Sequence, residues 1–421
     1  MTERPHFRYR PISTEVVRVI AIMGILVLMS GNARAQGPIV YPGYVPPMEI
    51  REYPGNIHLG PVRIFPGMAF SEKYTDNFFL TPSDEKDNFL SILSPSLALQ
   101  LPIQRNTLQA EYRADVIRLG QFERYNTDEH YAQALANLRF GRGLTLKVGD
   151  TFRRSSTPPD FPGDTREEFN FNTTAVEAAY AFGTRYTAKA AYAHSVKDFD
   201  SSRAEIDNYS EDAASGTLYY RFLPKTWALV EYYFSHVDNT DEGNFSTDND
   251  NHRLWLGLTW EPTAKLRGTA KGGYIRRDYD DISNDHNSFG MQANLQYSLT
   301  SRTTLDFSAS RELIQTEATR GEQPFGVDYF RTGGAALLRH KLTGKIYGVV
   351  EAAFFNDDYT DPDVTGRERE DDRLSFGLGI DYYFKQWLGL TMRYRIINND
   401  SNKSSEDYTE NQVFLSLSML F

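Results

Sequence analysis

The chain closes with Gln412-Val413-Phe414-Leu415-Ser416-Leu417-Ser418-Met419-Leu420-Phe421. Side chains of an extended backbone alternate between two faces. Val413, Leu415, Leu417, Met419 and Phe421 therefore share one apolar face, opposite Gln412, Phe414, Ser416, Ser418 and Leu420. That is the period-two signature of a strand. The same alternation recurs upstream in Leu388-Gly389-Leu390-Thr391-Met392-Arg393-Tyr394-Arg395-Ile396, Leu374-Ser375-Phe376-Gly377-Leu378-Gly379-Ile380 and Leu254-Trp255-Leu256-Gly257-Leu258-Thr259-Trp260. In each, one face is apolar and the other is small or charged.

Extended back to Val62, the pattern resolves into eighteen segments, beginning near 62, 88, 105, 128, 143, 167, 185, 212, 226, 250, 265, 286, 302, 330, 345, 371, 387 and 409. The connections between them alternate in length. Gly141-Arg142-Gly143, Gly183-Thr184, Leu223-Pro224-Lys225, Glu261-Pro262-Thr263, Thr300-Ser301-Arg302, Thr343-Gly344 and Lys385-Gln386 are short, whereas 238–251 and 357–372 are long and acidic. This alternation predicts an all-β fold: a transmembrane up-and-down antiparallel barrel of about 18 strands, within a range of 16 to 18, with short periplasmic turns and long acidic extracellular loops. A soluble sandwich or propeller would have shorter strands and less regularly polarised turns.

Composition agrees. Hydrophobic residues make up 40% of the 421, charged residues 24%, and mean hydropathy is −0.51, which leaves no room for a bundle of membrane helices. The one long apolar run, 19–29, follows Arg8, Arg10 and Arg18 and precedes Ser30-Gly31-Asn32-Ala33-Arg34-Ala35. A spanning helix needs roughly 20 apolar residues. The short run, basic flank and Ala33-x-Ala35 instead predict a signal peptide over 1–35, cut before Gln36. Residues 36–61, rich in Pro, Gly and Tyr, predict an extended periplasmic segment ahead of a barrel over 62–421. An even strand number places both termini in the periplasm of a Gram-negative bacterium.

The net charge of −11 falls further once the basic leader is removed, which excludes nucleic acid as a partner. With no cysteine there are no disulfides and no thiolate sites. The 26 Tyr and 27 Phe gather near segment ends, as in Tyr180/Phe182, Tyr219/Tyr220/Phe222 and Tyr382/Tyr383/Phe384, where aromatic girdles meet the lipid interfaces. The alternating terminal strand, Val413, Leu415, Leu417, Met419 and Phe421, resembles the assembly signal read by the barrel-insertion machinery of the outer membrane.

In a barrel the apolar parity faces lipid and the opposite parity faces the lumen. The expected pore lining is therefore Glu111, Arg113, Asp115, Lys147, Glu177, Lys189, Glu231, Arg267, Lys271, Asp306, Glu351, Asp381, Arg393 and Arg395, seven acids and seven bases. Eighteen strands enclose more space than side chains fill, so an aqueous channel of weak ion selectivity is expected. The alternative is that these charges pair and brace a barrel blocked by its loops. No catalytic motif, cofactor site or specific metal site is read. His194, His236, His252 and His286 lie among Asp198, Asp238, Asp250 and Asp285, a composition shared with barrel-borne proteases. Asp248-Asn249-Asp250 lacks the glycine-centred spacing of a calcium loop.

One segment carries a family pattern. It reads Val62-Arg63-Ile64-Phe65-Pro66-Gly67-Met68-Ala69-Phe70-Ser71-Glu72-Lys73-Tyr74-Thr75-Asp76-Asn77-Phe78-Phe79, followed by Leu93-Ser94-Pro95-Ser96-Leu97-Ala98-Leu99. A first strand with a central Pro-Gly, a Tyr-x-Asp-Asn-hydrophobic ending and a Leu-Ser-Pro-Ser-Leu strand resembles the outer-membrane β-barrel porins associated with exopolysaccharide biosynthesis and export operons. The resemblance implies a passive conduit for exopolysaccharide and no catalytic residues. The partners it implies are a periplasmic polysaccharide export protein, an inner-membrane copolymerase and the polymer itself, beside the lipopolysaccharide and lipid of the membrane. The balanced lining favours a neutral or lightly charged polymer, with inward Tyr219 and Tyr383 as stacking surfaces for sugars. A general porin or nutrient-uptake channel is the alternative, and a barrel-borne protease or lipid enzyme the third.

Overall fold

A computed structural model describes residues 57–157, 166–201, 208–239, 248–263, 265–280, 285–315, 328–362 and 367–421. The expected signal peptide, and the expected extended segment up to residue 56, lie outside the described residues. The strands are β1 (Ile57–Leu59), β2 (Val62–Thr75), β3 (Asn88–Ile103), β4 (Asn106–Leu119), β5 (Thr127–Arg139), β6 (Leu144–Ser156), β7 (Glu168–Phe182), β8 (Tyr186–Phe199), β9 (Tyr209–Leu223) and β10 (Thr226–Asn239). They continue with β11 (Asn249–Thr263), β12 (Leu266–Tyr279), β13 (His286–Ser298), β14 (Thr303–Gln315), β15 (Asp328–Lys341), β16 (Ile346–Pro362), β17 (Glu368–Lys385), β18 (Leu388–Ser401) and β19 (Tyr408–Leu420). From β2 onward each strand pairs antiparallel with the next, and β19 pairs with β2 to close a ring of 18. Closure gives every strand of the ring a ladder partner on both sides, which is the condition for a sheet to cross a bilayer. Short β1 folds back on the start of β2.

The strands begin within three residues of the positions read from the alternation. Two connections differ from expectation. The acidic stretch 357–372 is mostly strand, because β16 reaches Pro362 and β17 starts at Glu368, and 238–251 is strand at its two ends, where β10 runs to Asn239 and β11 starts at Asn249. An antiparallel ladder needs only backbone hydrogen bonds, so it continues past the lipid band, where polar side chains on both faces erase the alternation.

Leu254, Leu256 and Leu258 on β11 and Leu374, Phe376, Leu378 and Ile380 on β17 are exposed, and they define the outward parity. At the short-turn rim an outward aromatic row runs Tyr180, Phe182, Tyr186 and Tyr220, with ring centroids 6.2, 5.6 and 5.1 Å apart. The start of β2 and the end of β19 both lie at this rim.

The Tyr-x-Asp-Asn motif stands at the closing seam. Asp76 accepts from the backbone N and the Nδ2 of Asn411, both at 2.7 Å. Asn77, fully buried, donates to the carbonyls of Thr81 (2.8 Å) and Thr409 (3.2 Å) and accepts from the Thr81 N–H (3.0 Å). Thr75 donates to Glu410 at 2.6 Å, and Ser71 to Ser416 at 2.8 Å. The motif thus ties the first strand to the last at the long-loop end. At the other end the Phe421 N–H donates to the Pro66 carbonyl (3.0 Å), and its ring stacks on Trp387 at 5.1 Å. Beside the motif, Phe79, Leu119 and Tyr125 form a buried cluster joined by Phe78, Leu90, Ile117 and Phe122.

The wall splits at one place. Pairing of β13 with β14 runs only from Ser298–Thr304 to Met291–Arg311, whereas β14 and β15 stay paired up to Gln315–Asp328. By register with exposed Phe307, Leu313 has outward parity, yet it packs with Trp255 and Ile275, which have inward parity on β11 and β12. Phe330 of β15 joins the same cluster. The last residues of β14 and the first of β15, Leu313 to Gln315 and Asp328 to Phe330, have therefore left the wall and lie inside it, their outer face against the inner face of β11 and β12.

A buried charge pins this overlap. Asp328, 0% exposed, forms an ion pair with Arg277 of β12 and accepts from the Tyr279 hydroxyl at 3.0 Å. His286 Nε2 lies 3.8 Å from the other Asp328 oxygen, and the Thr360 hydroxyl of β16 donates to the Asp328 carbonyl at 2.8 Å. A carboxylate taken out of water this completely requires such partners.

Candidate functional site in the barrel lumen

Two networks of charge lie on the inward parity. On β6–β12, Glu177 is 3.3 Å from both Lys147 and Lys189, and Lys271 donates to Glu231 at 2.7 Å. Thr217 donates to Glu231 at 3.4 Å, and Lys271 rests 5.1 Å from the Trp255 ring centroid. On β15–β18, Asp381 takes Arg393 at 2.7 Å and Arg339 at 3.0 Å, while Glu351 takes Arg395 at 2.7 Å and Arg393 at 3.7 Å. Arg339 also lies over the rings of Tyr347 (4.5 Å) and Tyr383 (5.6 Å). Hydrogen bonds between charged groups hold long side chains against the wall instead of across the bore.

Glycine makes room for both. A Cβ on Gly379 would stand 2.6 Å from Arg393 Nη1, and one on Gly257 would stand 2.7 Å from the Cβ of Lys271. Gly379 faces Arg393, and Gly257 Lys271, in the ladder. Each long base can therefore lie flat across the neighbouring strand, as the close approach of side chain to backbone requires.

Nine of the fourteen charges expected to line the pore belong to these networks: Lys147, Glu177, Lys189, Glu231, Lys271, Glu351, Asp381, Arg393 and Arg395. The others stand elsewhere on the same parity. Arg113 pairs with Asp115 at 3.1 Å and lies 5.8 Å from the Tyr131 ring, and Glu111 is on that strand. Arg267 is in register with Gln296, whose Nε2 donates to Asp306 at 2.7 Å. Arg339 was missed. Its strand reads Gly333-Gly334-Ala335-Ala336-Leu337-Leu338, small and then apolar on both faces, so the sequence offers no parity there. Tyr219 and Tyr383 both share the inward parity of their strands, opposite Tyr220 and Tyr382.

The histidines do not converge. His194 Nδ1 meets Asp212 at 2.9 Å and His236 Nδ1 meets Asp250 at 2.8 Å, on the outward face that also carries exposed Tyr192 and Tyr232. Cross-strand register lines up Thr174, His194, Asp212, His236, Asp250 and Asp278 as one lateral row. His252 contacts the Tyr232 hydroxyl at 2.8 Å on that face, whereas His286 is inward beside Asp328. Asp248-Asn249-Asp250 likewise diverges, since Asp250 bonds outward His236 while buried Asn249 bonds Gln315 and Asn251.

Among solved structures, OpdQ from Pseudomonas aeruginosa is 14% identical with a TM-score of 0.48, over 86% of this chain and 100% of its own. OccAB4 from Acinetobacter baumannii is 12% identical with a TM-score of 0.47, over 85% and 98%. OccK1 (OpdK) from P. aeruginosa is 11% identical with a TM-score of 0.49, over 85% and 99%. No curated relative matches the sequence significantly. A family profile described as Putative beta-barrel porin 2 matches residues 54–421. With that match over most of its length and a closed 18-strand barrel, the chain belongs to this family of outer-membrane β-barrel porins.

Proposed function

We propose that the barrel is a passive conduit through which an exopolysaccharide chain leaves across the outer membrane. The observation that carries the reading is the 58–101 motif segment, which resembles porins encoded with exopolysaccharide genes and which here builds the closing seam of the ring. A lumen whose charges are clamped to the wall suits it, because a sliding polymer needs weak, repeated contacts. Tyr219 and Tyr383 offer faces for sugar stacking, and the start of β2 and the end of β19 share the short-turn rim, which the reading assigns to the periplasm. A strain lacking the protein should retain polysaccharide in the periplasm and release less to the medium. Unchanged secretion would exclude the proposal.

A further inference from the structure

Both lumenal networks hold more base than acid, although the chain as a whole has 56 acidic against 45 basic residues. Lys147, Lys189 and Lys271 share Glu177 and Glu231, and Arg339, Arg393 and Arg395 share Asp381 and Glu351. Three of these four carboxylates are each bound by two bases. A carboxylate accepts at about four lone-pair sites, whereas a guanidinium carries about five N–H donors. Three arginines facing two carboxylates therefore carry more N–H donors than those carboxylates can accept.

The two networks also stand at one level. Glu231, Lys271, Glu351 and Arg393 are each the fifth residue past the start of their strands at the short-turn rim, a level they share with one further acid, Glu111 of β4. One arc of the wall thus faces another across the lumen with the same surplus. Exposure of these side chains lies between 7% and 31%, so their field is less screened than that of surface charge.

We propose that this level is a ring that binds the anionic groups of a passing saccharide chain, its carboxylates, phosphates or sulfates. The reading rests on the conduit function above and departs from the balanced lining expected from the sequence. A guanidinium fork matches a planar carboxylate or a phosphate, and Tyr219, Tyr347 and Tyr383 beside the bases supply the faces on which the sugar ring lies. Exchange of the anion from one shared base to the next lets a polyanion advance without any tight site.

The test uses the purified protein in planar bilayers under a KCl gradient. The reversal potential should show chloride preference. That preference should shrink from 0.1 M to 1 M salt, as the screening length falls from about 10 to about 3 Å. A uronic-acid hexamer should reduce the current at lower concentration than a neutral hexose hexamer. Substituting Arg339→Gln, Arg393→Gln and Arg395→Gln together should move the reversal potential toward potassium, and Glu351→Gln with Asp381→Asn should move it further toward chloride. A folding defect lowers channel number and cannot produce opposite shifts. An unselective or potassium-selective wild-type channel, or equal block by the two hexamers, would overturn the ring and leave the conduit standing. Chloride selectivity in a protein whose deletion leaves secretion intact would overturn the conduit and leave the ring.

Discussion

Replacing Asp328 by Asn keeps the shape of the side chain and removes the charge that holds the β14–β15 hairpin inside the wall. Arg277, its partner, has a side chain only 7% exposed, so the substitution leaves a guanidinium in a dry setting without its counter-charge. Breaking a buried ion pair from one side costs about 3–5 kcal/mol. The rest of the barrel does not depend on this contact, because β13 and β14 remain paired below Met291–Arg311 and β15 with β16 over its own length. The cost should therefore appear as local opening. About 3 kcal/mol raises the open population roughly a hundredfold, at 1.4 kcal/mol per factor of ten.

Hydrogen exchange on the folded protein in detergent micelles reads this directly. Peptides covering 311–315 and 328–331 should lose about two orders of magnitude of protection, while the β7–β8 hairpin stays unchanged. The double substitution Arg277→Leu with Asp328→Leu should restore most of it. An apolar pair of similar volume is often as stable as a buried ion pair, and here it would extend the Trp255, Ile275 and Leu313 cluster. A change below about threefold in the Asp328→Asn protein would refute the claim that the ion pair pins the overlap, given an energy scale of 1.4 kcal/mol per decade.

Asn77→Ala removes four hydrogen bonds, to Thr81 and Thr409, at a fully buried position of the closing seam. Each buried group left unsatisfied costs about 1–3 kcal/mol, so guanidinium unfolding in micelles should show at least about 2 kcal/mol of lost stability. A loss within about 0.5 kcal/mol, the range of ordinary surface changes, would mean the motif does not hold the ring shut. Replacing His194, His236, His252 and His286 together by Ala should leave the polysaccharide phenotype intact, since three of them face outward and the fourth braces the overlap. Loss of secretion by a properly folded quadruple variant would revive the enzymatic alternative.

Much of the fold was legible because its information is local. Strand starts such as 88, 226 and 286 were read directly from alternation. Parity then put Glu177, Glu231, Asp381 and Arg393 on one face without any knowledge of their neighbours. The reading failed where alternation was missing. Arg339 sits on a strand of small and apolar residues, and the acidic ends of β10, β11, β16 and β17 looked like loops because water tolerates polar side chains on both of their faces.

The sequence alone determined that this is an up-and-down barrel of 16 to 18 strands and, wherever polar and apolar residues alternate, which side chains share a face, since a period of two is a property of the chain's own backbone. Tertiary structure decided what those side chains meet. Lys147 and Lys189 share one carboxylate, Arg339 reaches Asp381 from two strands away, and Asp328 leaves the wall to bury itself against Arg277. Such contacts join side chains that are distant in sequence or stand on strands that are not ladder partners. They depend on ring closure and on the break between β13 and β14, and no local pattern encodes either.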